Sequence, residues 1–386
     1  MGAETPKVLL TLHPPEGVNG QFGGPSRRVA ATAAALRRLG VDAQVTHGNA
    51  AEGGPWDVVH VHNIWTPEEA LAQVRHYRPL ARRLVFSPIY LDQSEFVVSV
   101  GLTKLYGAVP TLAEAAALLP AMVQRLHGIN PGLEHALQLI APDYHGCLRQ
   151  ILDTVDHVVF LSEHEKAAMS EVEAAACPSS IVRNAAGDDW LDGADPDAFR
   201  RAYGLDRYVL CVGSLEPRKN QMTLAAAWHA EPVPLALIGA GADAGYIDIV
   251  LRRLRGDWIA TGHLSDDALL ASAYAGAEAF VLPSIAEGAP LSALEAGAAG
   301  VPLALSDRSS EREYFGDLAV YFDPTDAAAI RAAVHAAMDR GRDPAYRTAL
   351  RDFTRQTYSY QRLATALSDI YAGPAASDAA EKGEDR

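Results

Sequence analysis

The chain has 386 residues, 49% of them hydrophobic and 21% charged, a balance that argues against a disordered or fibrous protein and leaves room for two domains of ordinary size, each with its own core. A formal charge of −15 argues against nucleic acid as a partner and provides no basic stripe for anionic lipid. No apolar run reaches the length of a transmembrane segment and the first residues lack the charged and apolar regions of a signal peptide, so the sequence predicts a cytoplasmic protein.

The first strand is expected from Lys7 to Leu12, followed by a loop rich in Gly and Pro from His13 to Ser26 and a helix from Arg27 to Gly40 whose apolar side carries Val29, Ala33, Leu36 and Leu39. Strand, glycine loop and helix open a nucleotide-type α/β domain, although Gly23-Gly24 does not complete GxGxxG. Further strands are expected around Val41 to His47 and Asp57 to Val61. In WDVVHVHNIW, His60 and His62 share one strand face, and His62 and Asn63 stand at its C-terminal end, where α/β sheets place ligands. Taken alone, a histidine there is more often a satisfied core residue than a catalytic one. The strand from Arg83 to Pro88 runs into FSPIYLD, with Tyr90 and Asp92 just beyond it.

Residues 93–147 exceed what a βαβ step needs. They contain helical stretches at Thr111 to Leu126 and Leu133 to Ile140, either a structural insertion or a lid. A helix from Cys147 to Val155, a strand from His157 to Leu161 and a helix capped by Ser162 complete the first domain. The cysteines Cys147, Cys177 and Cys211 are far apart and form no CxxC, which fits a reducing compartment and gives no zinc pattern. Gly, Asp and Pro cluster from Gly187 to Ala198 as a linker, where Asp188 and Asp189 read as solvated turn residues rather than metal ligands.

The second domain opens with a strand from Tyr208 to Val212 and the loop GSLEPRKNQ, which sets Arg218 and Lys219 side by side ahead of a helix from Gln221 to Trp228. A planar guanidinium fork next to a point charge suits a diphosphate. Strands follow at Leu235 to Ile238, before the glycine loop GAGADAG, at Trp258 to Thr261, before GHLSDD, and at Ala279 to Leu282. The stretch FVLPSIAEGAPLSALEAGAAGVP, residues 280–302, then compresses a buried strand, a tight loop and a small-residue helix. Pro290 falls in the first turn of that helix, where the amides of Gly288, Ala289 and Leu291 lack intrahelical partners and the dipole favours an anion. Glu287 and Glu295 bracket the helix start, Glu295 lying about 7 Å along the axis, within reach of a ribose diol whose phosphates rest on the amides. Beyond it are a strand from Val301 to Leu305, a short strand and turn at Tyr321 to Pro324, and helices from Asp326 to Arg340, Ala345 to Tyr358 and 358–371.

The E-x7-E pattern in SIAEGAPLSALEAGAAGVP resembles the signature of the retaining glycosyltransferases of family four, and the resemblance, strongest from Tyr208 to Pro324, covers nearly the whole chain. It implies an α/β protein of the GT-B fold, two facing Rossmann-like domains with parallel sheets and an interdomain cleft. The acceptor-binding domain would span 1–190 and the nucleotide-sugar-binding domain 191–357. A closing helix at 358–371 would cross back towards the first domain, and 372–386 would be a disordered tail.

By the same resemblance Glu287, Gly288, Ala289, Pro290 and Leu291 contact the donor sugar and phosphates, and Glu295 the nucleotide ribose. Gly24, Gly213, Ser214, Arg218 and Lys219 approach the diphosphate, and Gly262, His263 and Leu264 line the base. The acceptor side would carry His62, Asn63 and Tyr90. The sequence departs from the pattern after the fourth strand, where many members have a histidine and this chain has Ile89 and Tyr90.

The implied function is transfer of a hexosyl-type sugar from a nucleotide-diphosphate donor to a hydroxyl of a sugar, lipid-linked, small-molecule or protein acceptor, in bacterial glycan or glycoconjugate synthesis. Glu287, Arg218 and Lys219 would act at the reacting centre. No metal or other cofactor is required, because the cations and the helix N-terminus meet the charge that develops on the diphosphate. The alternatives are a GT-B sugar-nucleotide epimerase and a non-catalytic sugar-nucleotide-binding partner subunit.

Overall fold

The computed structural model describes residues 6–12, 24–51, 53–64, 66–91, 142–169, 177–187, 190–241, 244–254 and 258–373. The insertion helices expected between 93 and 141, most of the first glycine loop, Asp92, Asp188, Asp189 and the tail beyond 373 lie outside the described residues. The chain divides into two compact units, one made of the described residues up to Asn184 together with those from Tyr360 onward, the other of Ala185–Ser359.

The first unit is built on a six-stranded parallel sheet in the order β2-β1-β3-β4-β5-β6, with β1 Lys7–Leu12, β2 Asp42–His47, β3 Trp56–His62, β4 Ala81–Ser87, β5 His157–Phe160 and β6 Ser179–Ile181. The runs VLLTL, VVHVH and LVFS in β1, β3 and β4 are buried at every position, as a parallel sheet covered on both faces requires. Helix Gly24–Arg38 begins before the expected Arg27, so Gly24 is the first residue of a helix rather than a loop glycine; Pro25 fits that first turn because it has no N–H to lose.

The chain continues to pair past the ends of β3 and β4. The Asn63 amide donates to the Ser87 carbonyl (2.8 Å) and the Ile64 amide to that of Pro88 (2.9 Å). Asn63 (φ 83°) and Ile89 (φ 52°) both sit in the left-handed region, which a β-branched residue such as Ile89 enters only under constraint. The last helix, Tyr360–Tyr371, buries Leu363, Ala364 and Leu367 and packs in this unit against Gly24–Arg38.

The second unit repeats the architecture with the order β12-β11-β10-β7-β8-β9, all parallel: β7 Val209–Val212, β8 Leu235–Ile238, β9 Trp258–Ala260, β10 Ala279–Leu282, β11 Leu303–Ser306 and β12 Ala319–Phe322. Alternate residues of the same strands feed two cores. Leu210, Phe280, Leu282, Leu303 and Leu305 join one, and Val209, Cys211, Ala279, Val281 and Ala304 the other. Asp266, Asp326 and Asp343 cap helices by accepting first-turn amides, for example those of Ala328 (2.8 Å) and Ala329 (3.2 Å) on Asp326.

The order of this sheet decides where chemistry can be assembled. From β7 the chain moves outward through β8 to β9, then returns to place β10 on the other side of β7, with Phe280 opposite Leu210. That reversal is a topological switch point, and the loops leaving β7 and β10 at their C-terminal ends come together there.

Candidate functional site

The loop after β7 brings a short 3₁₀ turn, Pro217–Lys219, against the loop after β10, and the Ile285 amide donates to the Arg218 carbonyl (2.9 Å). Asn220 locks this arrangement. It adopts a left-handed conformation (φ 56°) that Asn tolerates better than most residues, and it is 5% exposed. Its Nδ2 donates to the carbonyls of Pro283 (3.2 Å) and Pro324 (2.7 Å), and its Oδ1 accepts from the Thr223 hydroxyl (2.6 Å). One side chain thus fixes the loops after β7, β10 and β12. Asn220→Ala removes these bonds, strands two buried carbonyls and strains the backbone, so it is expected to cost about 3 kcal/mol and lower the melting temperature by about 6–12 °C. Thermal denaturation tests this, with Asn220→Gly separating the backbone part of the loss.

Glycine is required where the loops after β7 and β8 cross: a Cβ on Gly239 would lie 2.0 Å from the Gly213 carbonyl oxygen, and one on Gly241 2.1 Å from that of Leu215. This close approach leaves Gly213 and Ser214 at the lip of the loop that carries the cations. The amide of Gly239 donates to the carbonyl of Gly262 (2.9 Å), which is itself left-handed (φ 68°), so the segment Gly262, His263 and Leu264 is tied to the same sheet edge, with His263 exposed.

At the centre, Lys219 Nζ donates to Glu287 Oε1 (2.5 Å), Ser284 Oγ donates to the same oxygen (2.5 Å), and Arg218 Nη1 stands 3.6 Å from Glu287 Oε2. Arg218 also donates to the Ala286 carbonyl (2.7 Å) and pairs with Glu216. The Glu287 amide donates to Ser309 Oγ (2.9 Å), a residue of the loop after β11. The expectation of two cations waiting for a diphosphate is therefore modified: both already hold a carboxylate, because a Glu287 side chain only 6% exposed needs a counter-charge. Burial pushes the Glu287 carboxyl up, and Lys219 and Arg218, with hydrogen bonds from Lys219 and Ser284, more than reverse it, so its pKa lies below the ordinary carboxylate value. Burial likewise lowers the Arg218 pKa, and Glu216 and Glu287 more than restore it.

The helix expected to start at Pro290 runs Leu291–Ala298 with Pro290 at its N-cap. The Leu291 amide is not free as expected; it donates to the Ala289 carbonyl (3.0 Å), because the chain folds tightly ahead of the first turn. Among the described residues the Gly288 and Ala289 amides make no backbone hydrogen bond, so they keep the anion-binding character of a helix start. Glu295, half-buried one turn on, accepts a hydrogen bond from the Tyr274 hydroxyl (2.6 Å), which fixes its carboxylate.

In the first unit, His60 and His62 stack with ring centroids 4.0 Å apart and are 0% and 2% exposed. His60 has both ring nitrogens engaged, Nδ1 with the Tyr371 hydroxyl (2.7 Å) and Nε2 with Ser87 Oγ (2.9 Å), and is a structural residue tying the last helix to the sheet. The His62 Nδ1 lies 3.2 Å from the Thr11 carbonyl, and burial, with Arg28 next, lowers its pKa to about 3, which keeps the ring neutral. Asn63 and Tyr90 are half-buried, and the Tyr90 amide donates to Glu165 Oε1 (2.6 Å). Glu165 also accepts from the Leu161 amide (2.5 Å), and burial raises its pKa to about 7.

Sequence reasoning did not single out Asn220, Ser284, Ser309, Glu216 or Glu165. The one local signal was Ser162-x-x-Glu165, a capping-box spacing; Ser162 Oγ accepts the Glu165 amide (2.9 Å) while the carboxylate turns to Leu161 and Tyr90 instead. No group of three or more His, Cys, Asp or Glu among the described residues is arranged to hold a metal ion, and none of their helices is long and apolar enough to cross a membrane.

The family described as glycosyl transferases, group 1, matches residues 197–357. Over 139 residues the chain is 38% identical to O-antigen chain mannosyltransferase B of Escherichia coli, an alignment covering 33% of this chain and 35% of that enzyme. Over 223 residues it is 37% identical to glycogen synthase of Mycobacterium tuberculosis, covering 53% of this chain and 49% of that one, so the chain spans between a third and a half of these relatives. Among solved structures, sucrose-phosphate synthase from Thermosynechococcus elongatus aligns over 95% of this chain and 98% of its own with a TM-score of 0.68 and 16% identity. HepE of Anabaena in complex with UDP and glucose aligns over 94% and 99% with a TM-score of 0.66 and 12% identity. The chain has the GT-B fold, an α/β architecture of two Rossmann-like domains.

Proposed function

We propose that the protein is a metal-independent retaining glycosyltransferase that moves a hexosyl group from a nucleotide-diphosphate sugar to an acceptor hydroxyl in bacterial glycan or glycoconjugate synthesis, in the cytoplasm. The observation that carries the reading is the convergence of Arg218, Lys219 and Glu287 beside the Gly288–Leu291 turn. Breaking the bond between sugar and diphosphate leaves negative charge on the phosphate oxygens, and two cations and a helix start at the same place stabilise that charge. They supply the compensation that a divalent cation would otherwise bring.

Glu287, held by Lys219 and Ser284, orients sugar hydroxyls rather than attacking the anomeric carbon. The acceptor hydroxyl then attacks the face the diphosphate leaves, with the leaving phosphate taking its proton. Glu295, steadied by Tyr274, takes the ribose, while Gly213, Ser214 and the segment Gly262–Leu264 line the nucleotide. His62, Asn63 and Tyr90 of the first unit are assigned to the acceptor, and neutral His62 suits a hydrogen-bonding role there.

Support also comes from the match over residues 197–357 and from the mannosyltransferase and glycogen synthase relatives. The test is a thermal-shift screen against UDP-, GDP-, ADP- and TDP-sugars. One nucleotide is expected to raise the melting temperature, and Arg218→Ala and Glu295→Ala to abolish the shift. No shift with any of them at millimolar concentration would overturn the reading.

A further inference from the structure

We propose that Glu311 is a positioning residue for Glu287: an uncharged carboxyl whose O–H donates a hydrogen bond to the Glu287 carboxylate when an incoming diphosphate draws Lys219 and Arg218 away. The proposal deepens the donor-site reading above and rests on it for the identity of the ligand.

Glu311 opens the short helix Glu311–Phe315 after β11, on the loop whose Ser309 hydroxyl accepts the Glu287 amide (2.9 Å) and whose Ser310 hydroxyl faces the Gly288 carbonyl (3.4 Å). Its side chain is 0% exposed, and among the described residues no side chain hydrogen-bonds to either carboxyl oxygen, the backbone amides of Glu311 and Ser309 being the groups that face it. A buried carboxyl with no side-chain partner and no counter-charge is costly when ionised. Such a group in a well-packed core calls for a reason.

The charges around Glu311 are few. Glu287 approaches from the loop after β10, Lys219 from the turn after β7, and Tyr321 from β12, where the Tyr321 hydroxyl stands 3.4 Å from the Glu311 backbone carbonyl. Burial first and the Glu287 charge second push the Glu311 pKa up to about 8, against smaller opposing effects of its own amide, Lys219 and the Ser309 amide. At neutral pH the pair is thus one carboxylate and one carboxylic acid, separated in role by environment.

Lys219, Ser284 and Arg218 satisfy Glu287. Once a diphosphate competes for the same two cations, Glu287 becomes a buried carboxylate short of partners. The alternatives are to lose its charge, and with it the capacity to hold a sugar hydroxyl, or to accept a new hydrogen bond. Ser284 already donates to Glu287, and Glu311, two residues beyond the Ser309 that holds the Glu287 amide, is the further carboxyl on that loop. An O–H donating to a carboxylate makes a strong, charge-assisted bond. No bond is broken and no proton leaves Glu311 in this exchange.

Lys219→Met reproduces the withdrawal of the cation without any ligand, so the inference is tested independently of the donor. Glu311→Leu removes a buried carboxyl that no side chain partners and is expected to leave the wild-type melting temperature unchanged or higher. In the Lys219→Met background the same change is expected to lower it by a further 3 °C or so, whereas Glu311→Gln, which keeps a donor, is tolerated in both. Infrared difference spectra between wild type and Glu311→Gln should show the carbonyl stretch of a protonated carboxyl at pH 7, moved to lower frequency in Lys219→Met. With a folded-state pKa above the unfolded one, Glu311 also makes stability fall as pH rises from the ordinary carboxylate range through about 8, a loss that Glu311→Gln should remove. Additive melting shifts, or no protonated carboxyl band at pH 7, would overturn the proposal. If Glu311→Leu does not fold, the infrared comparison decides it. A positive result here alongside a failed nucleotide screen would retain the coupling and discard the donor reading.

Discussion

Lys219→Met is expected to lower the transfer rate by about 10²–10³-fold, because it removes one preorganised cation from the charge that develops on the diphosphate. It is also expected to destabilise the ligand-free protein. Glu287 would lose a partner 2.5 Å away while only 6% exposed, keeping Ser284 and an Arg218 guanidinium 3.6 Å away. Removing one member of a buried ion pair costs about 3–5 kcal/mol, and the remaining partners put this case near the lower end, a melting-temperature loss of about 6–12 °C. The sign of the pH dependence follows from the lowered Glu287 pKa. That group stabilises the wild type above its unfolded pKa, and the contribution is lost as pH falls through the folded value. The difference between wild type and Lys219→Met should therefore be full at neutral pH and shrink below the ordinary carboxylate range. Denaturation midpoints measured across pH check this, and a difference independent of pH would mean that Glu287 is not the group Lys219 serves.

Glu287→Gln should split binding from transfer. Glu287 occupies the two cations in the ligand-free state, so removing its charge frees them. The affinity for the nucleoside diphosphate alone is expected to rise, by about 10-fold if the competing ion pair contributes the ordinary 1.5 kcal/mol of a charged hydrogen bond. Transfer is expected to fall at the same time by about 10² or more, since the sugar loses its orienting carboxylate. Calorimetric titration with UDP, GDP, ADP and TDP, set beside transfer from the matching sugar nucleotides, separates the two effects. Parallel losses of both would place Glu287 in phosphate binding only through its support of the loop. In Lys219→Met both quantities should fall together, so the two substitutions form a diagnostic pair.

Much of the second unit was legible because its elements announce themselves locally. Ala279–Leu282 and Leu235–Ile238 are uninterrupted apolar runs stopped by Pro or Gly, and the helix after Pro290 follows from proline and small residues in sequence. Small offsets arose at element boundaries: Pro290 caps the helix instead of lying in its first turn, and Gly24 opens a helix instead of lying within the loop expected to end at Ser26. The short strand Ser179–Ile181 and the helix Glu311–Phe315 were not foreseen, since three to five residues carry too little periodicity to stand out from a loop. His60 was open between core and site until Tyr371, more than three hundred residues on, supplied its partner.

The sequence by itself determined the two α/β halves, the loops that end at strand termini and the presence of Arg218, Lys219, Glu287 and Glu295 in them, because hydrophobic periodicity, glycine, proline and helix-end chemistry act within a few residues. Tertiary structure alone decided what those residues do to one another. The return of β10 to the side of β7 closes the distance between Lys219 and Glu287, so that a cation read as waiting for phosphate is found holding a carboxylate. The same packing left Glu311 buried with no side-chain partner among the described residues. Charge pairing and desolvation depend on distance and exclusion of water, and neither is encoded in spacing along the chain.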